Sequence, residues 1–184
     1  MEIYLVRHTT PKIEKGICYG QTDLDITTEF KKESEIILNK IPFNTKTKLY
    51  SSPAKRCTKL AALISKNYSI DERLKELNFG NWEMKNWDRI PKEEIDPWMQ
   101  DFVHIKVPNG ESYTELAQRS IAFFKEISEL NNTDVIVICH AGVIRSILSY
   151  VTKTLLKDSF DIKIIYGQIS KITIKDTIDV QIFI

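Results

Sequence analysis

The stretch DVIVICHAGVIRSILSYV, residues 134–151, decides the fold class. After Asp134 it has an unbroken run of apolar, mostly β-branched residues, which is typical of a strand buried on both faces of a parallel sheet. The residues from His140 to Val151 follow at once and are predicted to form a helix. A buried strand that leads directly into a helix favours an α/β fold with a mainly parallel sheet.

The same alternation of strand and helix continues along the chain. Strands are predicted at Glu2–Val6, Lys48–Ser51, Asp134–Cys139, Ile169–Ile174 and Val180–Ile184, the last two as a hairpin joined by KDTID. Helices are predicted at Thr28–Ile41, Pro53–Lys66, Tyr113–Leu130 and His140–Val151. We expect one domain over residues 1–184. Within it, residues 81–109 hold all three tryptophans and are predicted to form an irregular cap or lid with one short helix.

Two histidines follow apolar strands, at the position where α/β sheets bind ligands. His8, in IYLVRHTT, and His140 both come directly after a predicted strand, beyond its carboxyl end. A third strand end, LYSSP, leads into a helix that carries Arg56 and offers free N–H groups to an anion. With Arg7, four cationic or potentially cationic groups meet, and a phosphoryl group between them would relieve their repulsion. The arginines should also lower the pKa of a nearby imidazole and keep it neutral and nucleophilic near pH 7.

Composition and charge narrow the possible partners. The net charge is +1 without a Lys or Arg cluster, so neither nucleic acid nor a membrane surface is an expected partner. No apolar run reaches the roughly 18 residues of a membrane span, and MEIYLVRH lacks the features of a signal peptide. The odd number of cysteines, three, fits a reducing cytoplasm. The histidines match no zinc signature, so we expect no metal and no cofactor.

Five blocks of the sequence resemble the histidine phosphatases, the phosphoglycerate-mutase-like superfamily. The blocks are LVRHTT (5–10), SSPAKRCTKLA (51–61), LKELNFGNWE (74–83), PNGESYTELAQR (108–119) and VICHAGVIR (137–145). They follow one another in the family's order and span most of the chain. The resemblance implies a three-layer α/β/α sandwich with a mainly parallel sheet.

The resemblance also implies a catalytic role for each matching residue. His8 takes the place of the nucleophile that is phosphorylated, and Glu76 that of the proton donor. The residues implied to clamp the phosphoryl oxygens are Arg7, Arg56 and His140. The implied reaction is metal-independent hydrolysis of a phosphomonoester through a phosphohistidine. Without the family, the residues leave open which histidine attacks, and they do not separate Glu76 from its nearest rival acid, Glu83.

A further block points to a subgroup of the family. KGICYGQTDLDI (15–26) resembles the CYGQTD block of α-ribazole phosphatases, which act in assembling the nucleotide loop of cobalamin. The implied substrate is a small-molecule phosphomonoester, α-ribazole 5′-phosphate, with Gly20, Gln21 and Ala141 as candidate contacts. One departure is RHTT, where the family usually has RHG. There Thr9 is expected either to hydrogen-bond phosphate or to narrow the pocket.

Several alternatives stay open at this point. The chain could be a broad-specificity phosphatase of the same family, or a non-catalytic anion-binding member, which the RHTT departure would suit. A metal-dependent hydrolase would need carboxylates at ligand spacing to a histidine, and none is present. Cys57 and Cys139 have cationic neighbours that could activate a thiol, although Cys139 ends an apolar run and is expected in the core. The terminal hairpin would leave an edge strand, so a homodimer is a further open expectation.

Overall fold

The structure is a computed structural model that describes residues 1–130, 133–175 and 178–183. Its strands are β1 (Glu2–Arg7), β2 (Lys48–Ser51), β3 (Ser69–Ile70), β4 (Val135–Cys139), β5 (Ile169–Ile174) and β6 (Ile178–Phe183). Its α-helices are α1 (Phe30–Leu38), α2 (Lys55–Ile64), α3 (Lys92–Gln100), α4 (Tyr113–Ser128) and α5 (Ala141–Thr152). None of the helices in these ranges is long and apolar enough to cross a membrane.

The strands form one sheet in the order β3-β2-β4-β1-β5-β6. β1 and β2 each pair in parallel with β4, and β3 pairs in parallel with β2. β5 runs antiparallel to both β1 and β6. All five residues of β4 are buried, as expected for a central strand covered on both faces. The predicted mainly parallel sheet and the C-terminal hairpin are therefore confirmed.

Helices cover both faces of the sheet, which confirms the three-layer arrangement. Successive side chains of a strand point to opposite faces, and β1 follows this rule. Ile3 and Leu5 pack in the apolar cluster that includes residues of α4 and α5. Tyr4 and Val6 pack in the opposite cluster, with residues of α1 and α2. Because both faces are occupied, the polar residues that follow the strands collect at the carboxyl edge of the sheet.

The start of α2 differs from the prediction for a local reason. The helix begins at Lys55 rather than at Pro53, because Ala54 has extended backbone angles, φ −60° and ψ 136°. Ser52 stands shortly before this helix, where a serine side chain can act as an N-cap. Its hydroxyl accepts the Ala54 N–H at 3.4 Å but also lies 2.8 Å from Nε2 of His140, so it connects the loop to the second histidine.

The start of α4 and the presence of β3 also have local explanations. α4 begins at the predicted Tyr113, where Ser112 and Glu115 form a reciprocal capping box. β3 was not predicted, because its two residues are both exposed and give no apolar pattern. Three predicted positions, residues 176 and 177 of the hairpin connection and residue 184 of its second strand, lie outside the described residues.

Residues 81–109 form an irregular excursion that contains one α-helix, α3, and the short 3₁₀ helix Trp87–Arg89, and that begins within a second 3₁₀ helix, Gly80–Trp82. Two of its three tryptophans, Trp82 and Trp98, are buried in a separate apolar cluster that also contains Cys18. Trp87 is half-buried and lies against Phe79 with the ring centroids 5.4 Å apart. The excursion is thus packed onto the body of the protein. Its role as a lid stays a prediction.

Candidate active site

The two histidines at the strand ends lie side by side. His8 directly follows β1 and His140 directly follows β4, and these strands pair in parallel with Arg7 opposite Cys139. The two imidazole centroids are 5.0 Å apart, and both rings are buried. Parallel pairing therefore brings together the residues that the strand-end pattern selected.

The hydrogen bonds of His8 indicate which ring nitrogen carries the proton. Nδ1 lies 2.7 Å from the carbonyl oxygen of Thr9, which can only accept, so Nδ1–H donates. Nε2 lies 3.3 Å from Nε of Arg56, which can only donate, so Nε2 presents its lone pair. His8 is therefore held in the tautomer whose Nε2 can act as a nucleophile.

Arg56 is fully buried and is held by neutral groups. Its Nη1 donates to the carbonyl oxygen of Thr22 at 2.9 Å, and its Nη2 donates to that of Gly20 at 2.6 Å. Nη2 also lies 3.4 Å from Nδ1 of His140. No carboxylate among the described residues forms an ion pair with Arg56. A buried guanidinium without a counter-ion keeps its full positive charge available to an anion.

Arg7 has a similar environment. Its Nη1 donates to the carbonyl oxygen of Ile164 at 2.8 Å, and its Cζ lies 3.9 Å from the centre of the Tyr166 ring. Its buried Nε has no hydrogen-bond partner in the described part of the chain, where no carboxylate pairs with it either. A buried donor without a partner costs free energy, which a ligand with acceptor oxygens would recover. The arrangement suits an anion such as a phosphoryl group.

The surroundings keep both imidazoles neutral. Burial lowers the pKa of His8 well below its ordinary value, and the charges of Arg56 and Arg7 lower it further. Burial likewise lowers the pKa of His140 well below its ordinary value, with Arg56 and His8 adding to the effect. Removing water and placing guanidinium groups nearby both disfavour the imidazolium form. The neutral histidine expected from the charge pattern is present.

The ring of His140 is oriented through both of its nitrogens. Because the Arg56 guanidinium at Nδ1 can only donate, the proton of the neutral ring belongs on Nε2. Nε2–H then donates to the hydroxyl of Ser52 at 2.8 Å, with the Cys57 sulfur 3.6 Å away. Residues of the loop before α2 and of its first turn thus set the position of the second histidine.

Glu76 lies at the same edge of the sheet. One carboxylate oxygen accepts the main-chain N–H of Leu77 at 2.9 Å, and the other accepts that of Gly142 at 3.1 Å. Gly142 is the second residue of α5, the helix that begins directly after His140. The residue implied to be the proton donor is therefore brought close to the residues implied to bind the phosphoryl group.

An ion pair fixes the segment that carries Glu76. Arg119 of α4 donates to both carboxylate oxygens of Glu111, at 2.8 and 2.9 Å. The same guanidinium donates to the carbonyl oxygens of residues 73, 75 and 76, at 2.7, 2.5 and 3.0 Å. Glu111 in turn accepts the main-chain N–H of Asn78 at 2.9 Å. The block PNGESYTELAQR thus contributes a clamp on the segment around Glu76.

Two cavities meet at Glu76 and His140. The larger has a volume of about 290 Å³ and reaches His8 and Arg7, and the smaller has about 140 Å³ and reaches Arg56. The side chains that line the larger cavity include the apolar and aromatic residues Ile17, Leu77, Phe79, Trp87, Leu116 and Phe160. A phosphoryl group at His8 would therefore have a largely apolar chamber beside it for its leaving group.

The four candidate substrate contacts lie in different places. Ala141 lines the larger cavity, and Gly20 and Gln21 line the smaller one. Thr9 is fully buried and is absent from the described lining of both cavities. Its hydroxyl has no partner among the described residues, whereas its carbonyl oxygen is the acceptor that fixes the His8 tautomer.

Comparison with known proteins identifies the family. The family described as "Histidine phosphatase superfamily (branch 1)" matches residues 3–178. The chain belongs to this family. A Hydrogenobacter thermophilus protein named "Putative phosphoserine phosphatase 2" is 28% identical over 168 residues, covering 87% of this chain and 83% of its own length.

Solved structures share the histidine phosphatase fold of this chain. The α-ribazole phosphatase from Shigella flexneri matches with a TM-score of 0.88 at 20% identity, over 99% of this chain and 95% of its own. A phosphoglycerate mutase from Thermus thermophilus matches with a TM-score of 0.75 at 21% identity, over 100% of this chain and 99% of its own. At such identities the likeness shows the fold alone, and one fold can host several activities.

Three cavity residues of this histidine phosphatase were missed from the sequence. Arg145 of α5 lines the larger cavity, and its Nε donates to the carbonyl oxygen of Ile162 at 3.1 Å. Tyr19 and Tyr166 also line it, with their hydroxyl oxygens 2.6 Å apart. For Arg145 a signal existed, since it ends the family block VICHAGVIR. No local signal marks Tyr166, which reaches the site only through the fold.

The thiol alternative has no support in this site. Cys57 and Cys139 are fully buried, and burial raises the pKa of Cys57 to about 12 and that of Cys139 well above its ordinary value. A thiol with so high a pKa is not a thiolate at neutral pH. The predicted core position of Cys139 is confirmed. In the described ranges, no group of three or more His, Cys, Asp or Glu residues is arranged to hold a metal ion.

Proposed function

We propose that this chain hydrolyses phosphomonoesters through a phosphohistidine at Nε2 of His8, with α-ribazole 5′-phosphate as its substrate. The observation that carries the catalytic part is the hydrogen bonding of His8, with Nδ1–H on the Thr9 carbonyl oxygen and Nε2 toward Arg56. A neutral imidazole between two arginines is suited to attack phosphorus. The guanidinium groups would stabilise the charge on the equatorial phosphoryl oxygens in the transition state.

The proposed reaction has two displacements at phosphorus. In the first, Nε2 of His8 forms the P–N bond while the P–O ester bond breaks, and Glu76 gives its proton to the leaving alkoxide. In the second, Glu76 takes a proton from water as the water oxygen bonds to phosphorus and the P–N bond breaks. Orthophosphate leaves, and both His8 and Glu76 return to their starting states. The cationic side chains neutralise the phosphoryl charge throughout.

The proposed substrate agrees with the shape and chemistry of the larger cavity. Its aromatic and aliphatic wall, with Phe79 and Trp87, could pack against the base of a nucleoside-like leaving group. The CYGQTD block supports the same substrate, since α-ribazole phosphatases have it in this position. This interpretation would place the reaction in the assembly of the cobalamin nucleotide loop.

A broad-specificity phosphatase is the second candidate, and Arg145 is the observation that favours it. Its guanidinium lines the larger cavity and pairs with no carboxylate in the described residues. An extra cation beside the leaving group has no counterpart on α-ribazole, but it would suit esters that carry a carboxylate of their own. The relative named as a phosphoserine phosphatase supports the same alternative.

The test is phosphate release, in EDTA, from α-ribazole 5′-phosphate, phosphoserine, 3-phosphoglycerate and p-nitrophenyl phosphate. Wild type is compared with His8→Ala and with His104→Ala, a matched control at an exposed histidine paired with Asp101. We expect a preference for α-ribazole 5′-phosphate that is lost in His8→Ala and kept in His104→Ala. Quenching the reaction with radiolabelled ester should trap the label on His8 alone.

Each other outcome has a definite meaning. Similar turnover of all four esters would keep the phosphohistidine mechanism and replace the proposed substrate by broad specificity. Activity that disappears in EDTA would favour the metal-dependent alternative. A folded wild-type protein that binds orthophosphate but releases none from any ester would be a non-catalytic anion-binding member of the family.

A further inference from the structure

We propose that Glu83 is a positioning residue that holds the Arg56 guanidinium against His8 by ordering the loop of residues 20–22. The inference rests on the proposed phosphatase function, because it concerns the same phosphoryl site. Glu83 itself lines neither described cavity. Its effect would therefore pass through the loop rather than through direct contact with substrate.

The carboxylate of Glu83 is saturated with donors from two segments. One oxygen accepts the main-chain N–H groups of Gln21 at 2.8 Å and Phe79 at 3.2 Å. The other accepts those of Gly20 at 3.1 Å and Thr22 at 3.0 Å, and also the Thr22 hydroxyl. Five donors meet the roughly four lone-pair sites of an ionised carboxylate. Only a side chain with two acceptor oxygens, such as an ionised carboxylate, can accept hydrogen bonds from all of these donors.

These hydrogen bonds also make Glu83 less suited than Glu76 to the role of proton donor. Burial by itself raises the pKa of Glu83, but the hydrogen bonds from the Thr22 hydroxyl and the N–H groups of residues 20–22 outweigh it. The pKa of Glu83 is therefore lowered overall. A carboxylate that stays ionised and has no free lone pair is poorly suited to donate a proton. Its negative charge is instead available to organise the main chain.

The ordered loop turns its carbonyl oxygens to Arg56. Gly20 and Thr22 each donate an N–H to Glu83 and each accept a hydrogen bond from the Arg56 guanidinium. The main-chain dipoles thus run from the carboxylate on one side to the guanidinium on the other. Glu83 stabilises the buried cation without touching it, which leaves Nε of Arg56 directed at His8.

The loop has little freedom to take another position. A Cβ added at Gly20 would lie 1.8 Å from the carbonyl oxygen of Leu77, so the main chains are in close contact there. Just before the loop, Cys18 exchanges two main-chain hydrogen bonds of 2.8 Å with the excursion, to the Lys85 carbonyl oxygen and from the Met84 N–H. Small changes at Glu83 should therefore reach the carbonyl oxygens that hold Arg56.

The test compares Glu83→Gln with Glu94→Gln, a matched change in the same excursion. Glu94 accepts the Trp82 indole N–H at 2.7 Å, and none of its hydrogen bonds in the described part of the chain reaches the loop of residues 20–22. We measure orthophosphate binding by calorimetry at pH 7 and the pH profile of kcat/KM for p-nitrophenyl phosphate. For Glu83→Gln we expect about tenfold weaker binding, the loss expected for one charge-assisted hydrogen bond to a phosphoryl oxygen.

The pH profile separates positioning from loss of stability. If Arg56 drifts from His8, the pKa of His8 rises and the acid limb of kcat/KM moves to higher pH. The other ionisable groups that face this imidazole are Arg7, His140 and Tyr166, and in the described residues none of the hydrogen bonds of Glu83 reaches them. A purely structural loss would lower kcat/KM at every pH by the same factor and leave orthophosphate affinity unchanged in the folded fraction.

A milder variant guards against a failure to fold. Thr22→Val removes only the hydroxyl donor to Glu83 and should shift binding and the acid limb in the same direction by less. The inference would be overturned if folded Glu83→Gln bound orthophosphate as tightly as the wild type does and the acid limb of its pH profile did not move. If the wild type binds orthophosphate but releases none from esters, the proposed function is wrong. The role of Glu83 is then still tested by comparing the orthophosphate affinities of Glu83→Gln and the wild type by calorimetry. A wild type that binds no orthophosphate would overturn both.

Discussion

Replacing Gly142 with alanine should displace Glu76, the proposed proton donor, while leaving the fold intact. A Cβ at this position would lie 2.3 Å from one carboxylate oxygen of Glu76 and 2.8 Å from Cδ2 of Leu116. Contacts of a Cβ below 3.0 Å are essentially never observed, so something must move. Both atoms are the ends of flexible side chains. The main chain can therefore stay in place while the carboxylate retreats by at least the difference, 3.0 − 2.3 = 0.7 Å.

The displacement of Glu76 should affect the rate far more than the stability. Misplacing a reacting group by about 1 Å can cost about 100-fold in rate, within the 10²- to 10⁴-fold that general acid catalysis contributes. Stability should change little. Losing the Gly142 N–H bond to Glu76 costs about 1 kcal/mol, and alanine is favoured over glycine inside a helix by a similar amount. We therefore expect kcat/KM to fall about 100-fold with an almost unchanged urea midpoint.

The choice of ester tests the mechanism of this loss. An alkyl phosphate needs a proton on its leaving oxygen, whereas p-nitrophenolate leaves without one, so kcat/KM for p-nitrophenyl phosphate should fall much less. In a double-mutant cycle, Gly142→Ala should add little to Glu76→Gln, because both changes remove the same group. Equal losses for both esters would mean that the new methyl group blocks the cavity. Additive losses in the cycle would refute the argument through Glu76.

Three further predictions follow from the same contacts. Because burial and Arg56 lower the pKa values of His8 and His140, the unfolded chain binds protons first as pH falls below about 6.5. The free energy of unfolding from urea titrations should therefore fall between pH 7.5 and 5.5, by up to about 1.4 kcal/mol per pH unit for each histidine. If the free energy of unfolding of His8→Asn depended on pH as steeply as that of the wild type, this prediction would be contradicted. Arg119→Lys keeps the charge but loses the forked geometry on Glu111, and we expect a loss of about 1–3 kcal/mol in stability and a lower kcat. If Arg119→Lys unfolded at the same urea midpoint as the wild type, the proposed clamp of Arg119 on the segment around Glu76 would be contradicted. Iodoacetamide at pH 8 should modify Cys57 no faster than the protein unfolds, since burial raises its pKa to about 12. Rapid labelling of the folded protein, read by mass spectrometry, would show an accessible thiol instead.

The central part of the fold could be predicted because its signal is local. The run from Val135 to Cys139 is apolar at every position, and such a run has few stable places other than the middle of a parallel sheet. Once β1 and β4 are parallel neighbours, the residues after them must be close, which is why His8 and His140 could be paired. By contrast, β3 has two exposed residues and carries no pattern that would identify it.

The supporting residues of the site could not be predicted for a different reason. Glu83 and Arg119 make most of their side-chain hydrogen bonds to main-chain groups, and Glu111 makes one, and a main-chain donor or acceptor leaves no mark in the sequence. In the sequence these residues look like ordinary surface charges. Glu76 was separated from Glu83 only through the family resemblance. The contacts that distinguish the two residues are main-chain hydrogen bonds as well.

Four of the arginines differ in the kind of partner that holds them. Arg73 and Arg119 pair with carboxylates, so their charges are largely neutralised. Arg7 and Arg56 bond to main-chain carbonyl oxygens and, in the described residues, to no carboxylate. A carbonyl dipole offsets part of the cost of burial but carries no net charge, so the site stays positive. A carboxylate in direct contact would engage the guanidinium fork and compete with phosphoryl oxygens for it. Glu83 avoids that competition, because the loop of residues 20–22 lies between its negative charge and Arg56.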